Sequence, residues 1–337
     1  MKKRFSEIDA LYTMGILLAV LGHSHPSDWT TFYGTGFEKL IAFIYLFHMP
    51  LFFVIAGFTF YHSKSMEQMG FGRWIGDKAE RLLVPYFLLS AAAILPKSMI
   101  EGTAGAIPIQ LLYVLVRPRL GVWGHFWFIP ALFAAYALFG LWRSLVNRKN
   151  EDALLVGTCL ATVILYFLPI ETDWLGLRDL KDNLLFFAFG MLGRRMRIGD
   201  RGNTGYWSRL CLCGGSVLLS VFLFYRFYGN RVVALLIALL MLFACWQAAE
   251  SIKGNAVTKW LGSHALTIFL YSWPAQAMTM FLLQRGGATW YVISICMFLS
   301  GLFVPILMIC FYDRTKRLQC RFLDLLLGEK RRKTHEK

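Results

Sequence analysis

Ten apolar segments of about membrane-spanning length, separated by short loops in which Lys and Arg collect, constrain this chain more than anything else in it. They lie at about 8–23, 40–61, 82–100, 125–143, 153–169, 182–197, 209–226, 231–248, 262–283 and 289–312. An α-helix pairs all of its backbone groups within one segment, which lipid demands. The pattern therefore predicts an all-α integral membrane protein with about ten transmembrane helices. A shorter apolar stretch at 105–116 suits an interfacial or re-entrant helix. Composition agrees, since 57% of the residues are hydrophobic and only 16% are charged. Aromatic residues, which are included in that hydrophobic share, make up 16% of the chain, enough to furnish two interfacial belts.

Charge sets the orientation. A net charge of +15 would suit a nucleic-acid binder, but the basic residues fall in short clusters between apolar runs, and no nucleic acid is expected as a partner. With the N-terminus in the cytoplasm and alternating spans, 26 of the 35 Lys and Arg residues fall inside, and both termini are cytoplasmic. Lys2, Lys3 and Arg4 before an apolar run resemble a signal peptide. Glu7, Asp9 and the lack of a small-x-small site after Gly22 favour a retained first span instead. Residues 1–313 read as one polytopic membrane domain and 314–337 as a basic cytoplasmic tail suited to anionic lipid. The seven cysteines lack zinc-ligand spacing with histidine and read as small residues facing lipid or neighbouring helices, so no metal is expected.

Two histidines mark the candidate site. His23 closes the first apolar run, and His48 opens the helical part of the second. If the first span runs outward and the second returns, both imidazoles sit at one membrane face. A titratable ring at membrane depth is costly unless it is paired or lines a wet cavity. The run Ala10 to Gly22 has 13 residues, roughly 20 Å of helix against a hydrocarbon core near 30 Å, which places His23 below the outer headgroups. At 100° per residue, Asp9, Tyr12, Ile16, Ala19 and His23 share a narrow stripe. Taken singly, His23 could simply cap its helix beside Ser24 and Pro26. Pro50 suits a helix first turn, so a helix is expected to start near His48. The positive end of a helix disfavours a cationic ring there, and neutral imidazole is the form a general base needs.

Three further stretches carry polar groups into apolar surroundings. His25, and His125 with Trp127 in Trp123-Gly124-His125-Phe126-Trp127, fall at the same outer face. Arg73, Lys78 and Arg81 enter the third span from the cytoplasm and could meet the phosphates of a nucleotide-bearing donor. Pro274 lies inside the ninth span, where it is expected to break the hydrogen-bond ladder. Phosphate loops, nucleophile elbows and zincin motifs of soluble enzymes do not occur.

The ordered set of motifs resembles a family. Glu7-Ile8-Asp9-Ala10-Leu11, Gly22-His23-Ser24 and Phe47-His48-Met49-Pro50-Leu51-Phe52-Phe53 with Ala56-Gly57-Phe58 are similar to the membrane-bound acyltransferase family 3. The Phe-His-Met-Pro-Leu-Phe-Phe run is that of its fucose 4-O-acetylase-like branch. Arg81-Leu82-Leu83-Val84-Pro85-Tyr86, Trp127-Phe128-Ile129-Pro130, the run Phe186 to Arg195, and Leu261-Gly262-Ser263 through Tyr271 follow in the family's order. Two positions depart from it: Tyr12 stands where members often carry a basic residue, and Ser272-Trp273 where many carry histidine.

The resemblance implies about ten helices and O-acylation of a glycan or another envelope hydroxyl at the bacterial plasma membrane. It implies an acyl-CoA co-substrate, acetyl-CoA or another, presented from the cytoplasm, with no tightly bound cofactor. It makes His23 the essential histidine of the first helix. On that basis His23 is expected to act as general base and His48 to orient it or assist proton transfer, with Asp9, Tyr12, His25, His125 and Trp127 in support. Arg73, Lys78 and Arg81 are the donor-binding candidates. The alternative is a transporter or flippase for a lipid-linked sugar or polysaccharide, although the two halves of the chain show no convincing repeat. Membrane lipids are expected partners on either reading, and the sequence leaves the oligomeric state open.

Overall fold

A computed structural model describes residues 5–26, 32–146, 148–196, 205–252, 254–314 and 321–328. Among these residues there is no strand. The helices run α1 (Ser6–Gly22), α2 (Phe37–Tyr45), α3 (His48–His62), α4 (Ser65–Met69), α5 (Phe71–Glu101), α6 (Ile107–Val116), α7 (Phe128–Leu145), α8 (Glu151–Phe167), α9 (Leu177–Arg195), α10 (Tyr206–Phe227), α11 (Arg231–Ile252), α12 (Ala256–Ser263), α13 (Ala265–Arg285), α14 (Trp290–Arg314) and α15 (Arg321–Leu326). Each of the ten expected spans falls on a helix. Among the described residues seven helical stretches are long and apolar enough to cross a membrane: Phe37–His62, Phe71–Met99, Gly124–Leu145, Tyr206–Phe227, Arg231–Ile252, Ala265–Arg285 and Trp290–Arg314. The other three expected spans correspond to α1, α8 and α9. Helices α1 and α8 have 17 residues each, and α9 begins with the charged run Arg178 to Asp182. Helix α6 has ten residues, about 15 Å, too short to span. Residues 1–4 and most of the basic tail lie outside the described residues.

Two departures from the sequence pattern are local. The second expected span, 40–61, is divided: α3 starts at His48, as expected from Pro50, but a separate helix α2 precedes it, ending at Tyr45 before a turn at Leu46 and Phe47. The ninth span is not broken at Pro274, because α13 continues through it. Proline removes one N–H, leaving the Leu270 carbonyl without its ladder donor, but one lost bond does not end a helix packed on its neighbours.

The chain divides into two compact units. The first comprises residues 1–55 and 197–316, and the second 56–196 and 317–337. In the first, α12 lies directly on α1. A Cβ on Gly262 would stand 2.6 Å from the Asp9 carbonyl oxygen, so only glycine permits this approach. Asn255 caps α12 by accepting from the Thr258 N–H at 2.9 Å, and its own N–H donates to Thr258 Oγ1 at 3.1 Å. Thr13 Oγ1 lies 3.0 Å from the Thr258 carbonyl and joins α1 to that helix. Helices α13 and α14 pair through Thr279 Oγ1, which donates to Ser300 Oγ at 2.8 Å. Helices α10 and α11 pair through Arg209 and Glu250, whose carboxylate also accepts from Trp246 Nε1 at 2.8 Å.

The second unit has an aromatic core of Phe60, Trp74, Tyr136, Phe139 and Phe187. Phe139 and Phe187 stack with centroids 4.6 Å apart. Tyr86, buried in α5, donates to the Val114 carbonyl at 2.6 Å and holds α6 in place. Arg143 closes the end of α3. Its guanidinium donates to the Tyr61 carbonyl at 3.2 Å and to the Phe60 carbonyl at 3.5 Å, and pairs with Glu67 at 2.8 Å. The final carbonyls of a helix lack intrahelical donors, and a cation placed there also complements the helix dipole. Arg143→Met keeps the stem and removes the donors. It is expected to destabilise the protein by about 1–2 kcal/mol, read as a lower unfolding temperature in detergent.

Candidate functional site

The first unit assembles a cluster of three histidines and a tyrosine from residues that the local folding rules place at helix ends. Helix α1 stops at Gly22, and His23 is its C-cap, with its N–H on the Ala19 carbonyl at 3.2 Å. The Gly22 carbonyl, which has no helical donor, accepts from the Tyr45 hydroxyl at 2.8 Å. Glycine suits this position, because a Cβ on Gly22 would come within 3.1 Å of the tyrosine ring, which would have to shift by a few tenths of an ångström. His48 is buried at the first position of α3, and its Nδ1 donates to the Ile44 carbonyl at 2.9 Å. A carbonyl can only accept, so the proton sits on Nδ1 and Nε2 has the lone pair.

The rings converge. His23 and His48 lie 6.3 Å apart between centroids and edge to face, and Tyr45 is 5.8 Å from His23 and 5.3 Å from His48. Trp273 of α13 packs edgewise on His23 at 5.8 Å. His25 Nδ1 donates to the Pro26 carbonyl at 2.8 Å, and its Nε2 lies 3.3 Å from the Tyr45 oxygen. Burial pushes His25 below the usual imidazole range, partly offset by the bond to the Pro26 carbonyl. His23 is partly exposed.

The end of α1 is pinned from α13. Gln276, fully buried, donates through Nε2 to the Val20 carbonyl and to Ser24 Oγ, each at 2.8 Å. Ser24 Oγ in turn donates to the Val20 carbonyl at 2.6 Å. Gly301 of α14 gives Gln276 its room, since a Cβ there would approach the amide within 2.8 Å.

The structure thus brings together His23, His25 and His48. It does not bring the remaining supporting residues of α1 to them. Asp9 lies about 21 Å down the helix from His23, beside Gly262, and Tyr12 about 16 Å down, with its ring 6.3 Å from Phe52. The expected stripe is otherwise a packing face, with Asp9, Ile16 and Ala19 buried.

The other candidates belong to the second unit. His125 sits in a 3-10 turn with its ring 4.7 Å from Phe126. Trp127 lies under the Arg119 guanidinium at 4.6 Å, and Arg119 Nε donates to both carboxylate oxygens of buried Asp179 at 2.8 and 2.9 Å. Lys78 stands 4.0 Å over the Tyr136 ring, Arg81 Nε donates to the Gly328 carbonyl at 3.1 Å, and Arg73 is exposed. At 100° per residue these three spread over about 140° of α5 rather than forming one face.

Sequence reasoning missed Tyr45, Gln276 and the contact of Trp273. Tyr45 had a usable signal: a hydroxyl-bearing residue three positions before His48, within an otherwise apolar run. Gln276 had a similar one, as an amide deep in the ninth span.

The fold and the cluster can now be set beside known proteins. A family model described as acyltransferase domain matches residues 5–310, which takes in α1, every histidine of the cluster and most of α14. The chain belongs to this acyltransferase family. Among its relatives are two proteins named Nodulation protein NolL. The one from Sinorhizobium fredii (strain NBRC 101917 / NGR234) is 26% identical over 290 residues, covering 76% of this chain and 73% of the relative. The one from Mesorhizobium japonicum (strain LMG 29417 / CECT 9101 / MAFF 303099) is 23% identical over 343 residues, covering 90% and 85%. No solved structure matches. Membership and the apolar helices together make the protein a multi-pass membrane acyltransferase. Membership of an acyltransferase family favours the enzyme reading over the transport alternative.

Proposed function

We propose that this enzyme moves an acetyl or other short acyl group from acyl-CoA to a hydroxyl of a cell-envelope sugar or polysaccharide, at the bacterial plasma membrane. The observation that carries this reading is the pair of imidazoles, His23 and His48, 6.3 Å apart within the acyltransferase domain. The similarity of Phe47 to Phe53 to the sugar-acetylase branch supports the acceptor class.

A hydroxyl is a poor nucleophile until its proton is taken as it attacks. His23 Nε2 accepts that proton while the hydroxyl oxygen bonds to the thioester carbonyl carbon. The carbon–sulfur bond then breaks, and the departing thiolate takes the proton back from His23, so the ester and free CoA thiol form with no net proton change. His48, with Nδ1 committed to Ile44, offers Nε2 as an acceptor to orient or assist this transfer. Of the donor-binding candidates Arg73, Lys78 and Arg81, exposed Arg73 is the best placed to meet the donor's phosphates, since Lys78 lies on Tyr136 and Arg81 holds the Gly328 carbonyl.

The test compares envelope glycans from cells with the intact gene, a deletion, and His23→Ala, by mass spectrometry after extraction that preserves esters. A mass of one acyl group lost in both variants, with His23→Ala still present in the membrane, supports the reading and identifies the acceptor. Unchanged acylation alongside altered amounts of surface glycan would overturn it in favour of transport.

A further inference from the structure

We propose that Tyr45 is a positioning residue that fixes which nitrogen of His23 carries the proton, and so makes Nε2 the base. This rests on the reading of His23 as general base. Among the described residues three groups surround the Tyr45 oxygen: the Gly22 carbonyl at 2.8 Å, His25 Nε2 at 3.3 Å and His23 Nδ1 at 3.4 Å. A phenol has one hydrogen and two lone pairs. The Gly22 carbonyl can only accept and is the nearest of the three by about half an ångström, so it takes the hydrogen. His25, whose Nδ1 already donates to Pro26, competes for that hydrogen only from the longer distance.

With its hydrogen committed, the Tyr45 oxygen faces His23 as an acceptor. The tautomer of His23 that satisfies this contact has its proton on Nδ1. Its lone pair then lies on Nε2, the nitrogen on the far side of the ring from Tyr45. When the acceptor hydroxyl gives its proton to Nε2, the ring becomes imidazolium and keeps the Nδ1–H on Tyr45. When the thiolate removes the proton from Nε2, the starting tautomer returns. A carboxylate does this work for the histidine of a Ser-His-Asp triad. A neutral phenol does it without placing an anion at membrane depth.

The same contacts explain the backbone around it. The lack of a Cβ on Gly22 lets the ring lie close, and its carbonyl, at the C-terminal end of α1, has no intrahelical donor. Tyr45 therefore caps α1 and sets the His23 tautomer with a single hydroxyl.

The test uses membrane vesicles holding Tyr45→Phe or His23→Gln, labelled acetyl-CoA as the probe donor, and transfer of label into the vesicles' own glycan fraction across pH. Tyr45→Phe keeps the ring packing. It is expected to lower kcat by about 10–50-fold, leave the KM for acetyl-CoA within about twofold, and move the acid limb of the kcat profile to lower pH, because the imidazolium loses its acceptor. A structural role alone would lower the amount of active enzyme without moving that profile. If His23→Gln abolishes transfer while Tyr45→Phe leaves rate and profile unchanged, the positioning proposal fails and the general-base reading stands. If His23→Gln transfers normally, the general-base reading itself fails. Should Tyr45→Phe not fold, the 15N spectrum of histidine-labelled wild-type protein, assigned with His23→Gln, decides: protonated Nδ1 on His23 supports the proposal, and protonated Nε2 overturns it.

Discussion

Replacing His23 with glutamine lowers acyl transfer by about 10²–10⁴-fold, with the protein inserted at normal levels. Glutamine keeps a polar side chain at the C-cap of α1 but cannot take a proton at neutral pH. The pins on that helix end, Gln276 on the Val20 carbonyl and Ser24, do not involve the imidazole and remain in place. The loss therefore reports chemistry rather than folding. His48→Gln is expected to cost less, about tenfold, because His48 is buried with one nitrogen held by Ile44 and acts beside the reacting group. Rates of CoA thiol release with saturating acetyl-CoA, measured for both variants, check the ranking. A larger loss for His48→Gln would exchange the two roles.

Gly57→Ala lowers the unfolding temperature of the protein markedly. Helix α3 crosses α9 here so closely that a Cβ on Gly57 would be driven into the carbonyl oxygen of Phe187. That oxygen belongs to helix backbone and cannot swing aside as a side chain can. In membranes small residues allow this kind of approach and supply the packing that holds helices together. Overpacking a rigid contact costs about 1–3 kcal/mol or more, a large share of a typical stability. Gly157→Ala is the matched control, since nothing lies within 4 Å of the Cβ it adds in α8. Alanine there is expected to be neutral or to add up to about 1 kcal/mol. Unfolding temperatures of the two purified variants should move apart, and equal values would remove the close contact from the account.

Much of this was legible in the sequence because hydropathy and charge act over whole segments. The ten apolar runs all land on helices. The meeting of His23 and His48 follows from two spans that run in opposite senses. What escaped depends on single residues. The turn at Leu46 and Phe47 is invisible to hydropathy because both residues are apolar. Yet it separates α2 from α3 and aims Tyr45 at Gly22. Pro274 promised a break that packing overrode. Sequence reasoning did not single out Asp179, which the fold buries against Arg119. Arg73, Lys78 and Arg81 look like one patch in one dimension and spread around α5 in three.

The first unit is built from two stretches far apart in sequence, 1–55 and 197–316, and this sets an order of assembly. Val20 and Gln276, joined by a hydrogen bond, are 256 residues apart in sequence. At about 5–20 residues per second, the ribosome makes the His23 end of α1 roughly 13–50 s before the glutamine that holds it. During that interval the end of α1 has its cap from Tyr45 but lacks the pin from Gln276, while every residue from 56 to 196 of the second unit is completed. A nascent chain stalled before α13 would hold both catalytic candidates without that pin, so premature termination should yield a protein with little or no transfer activity.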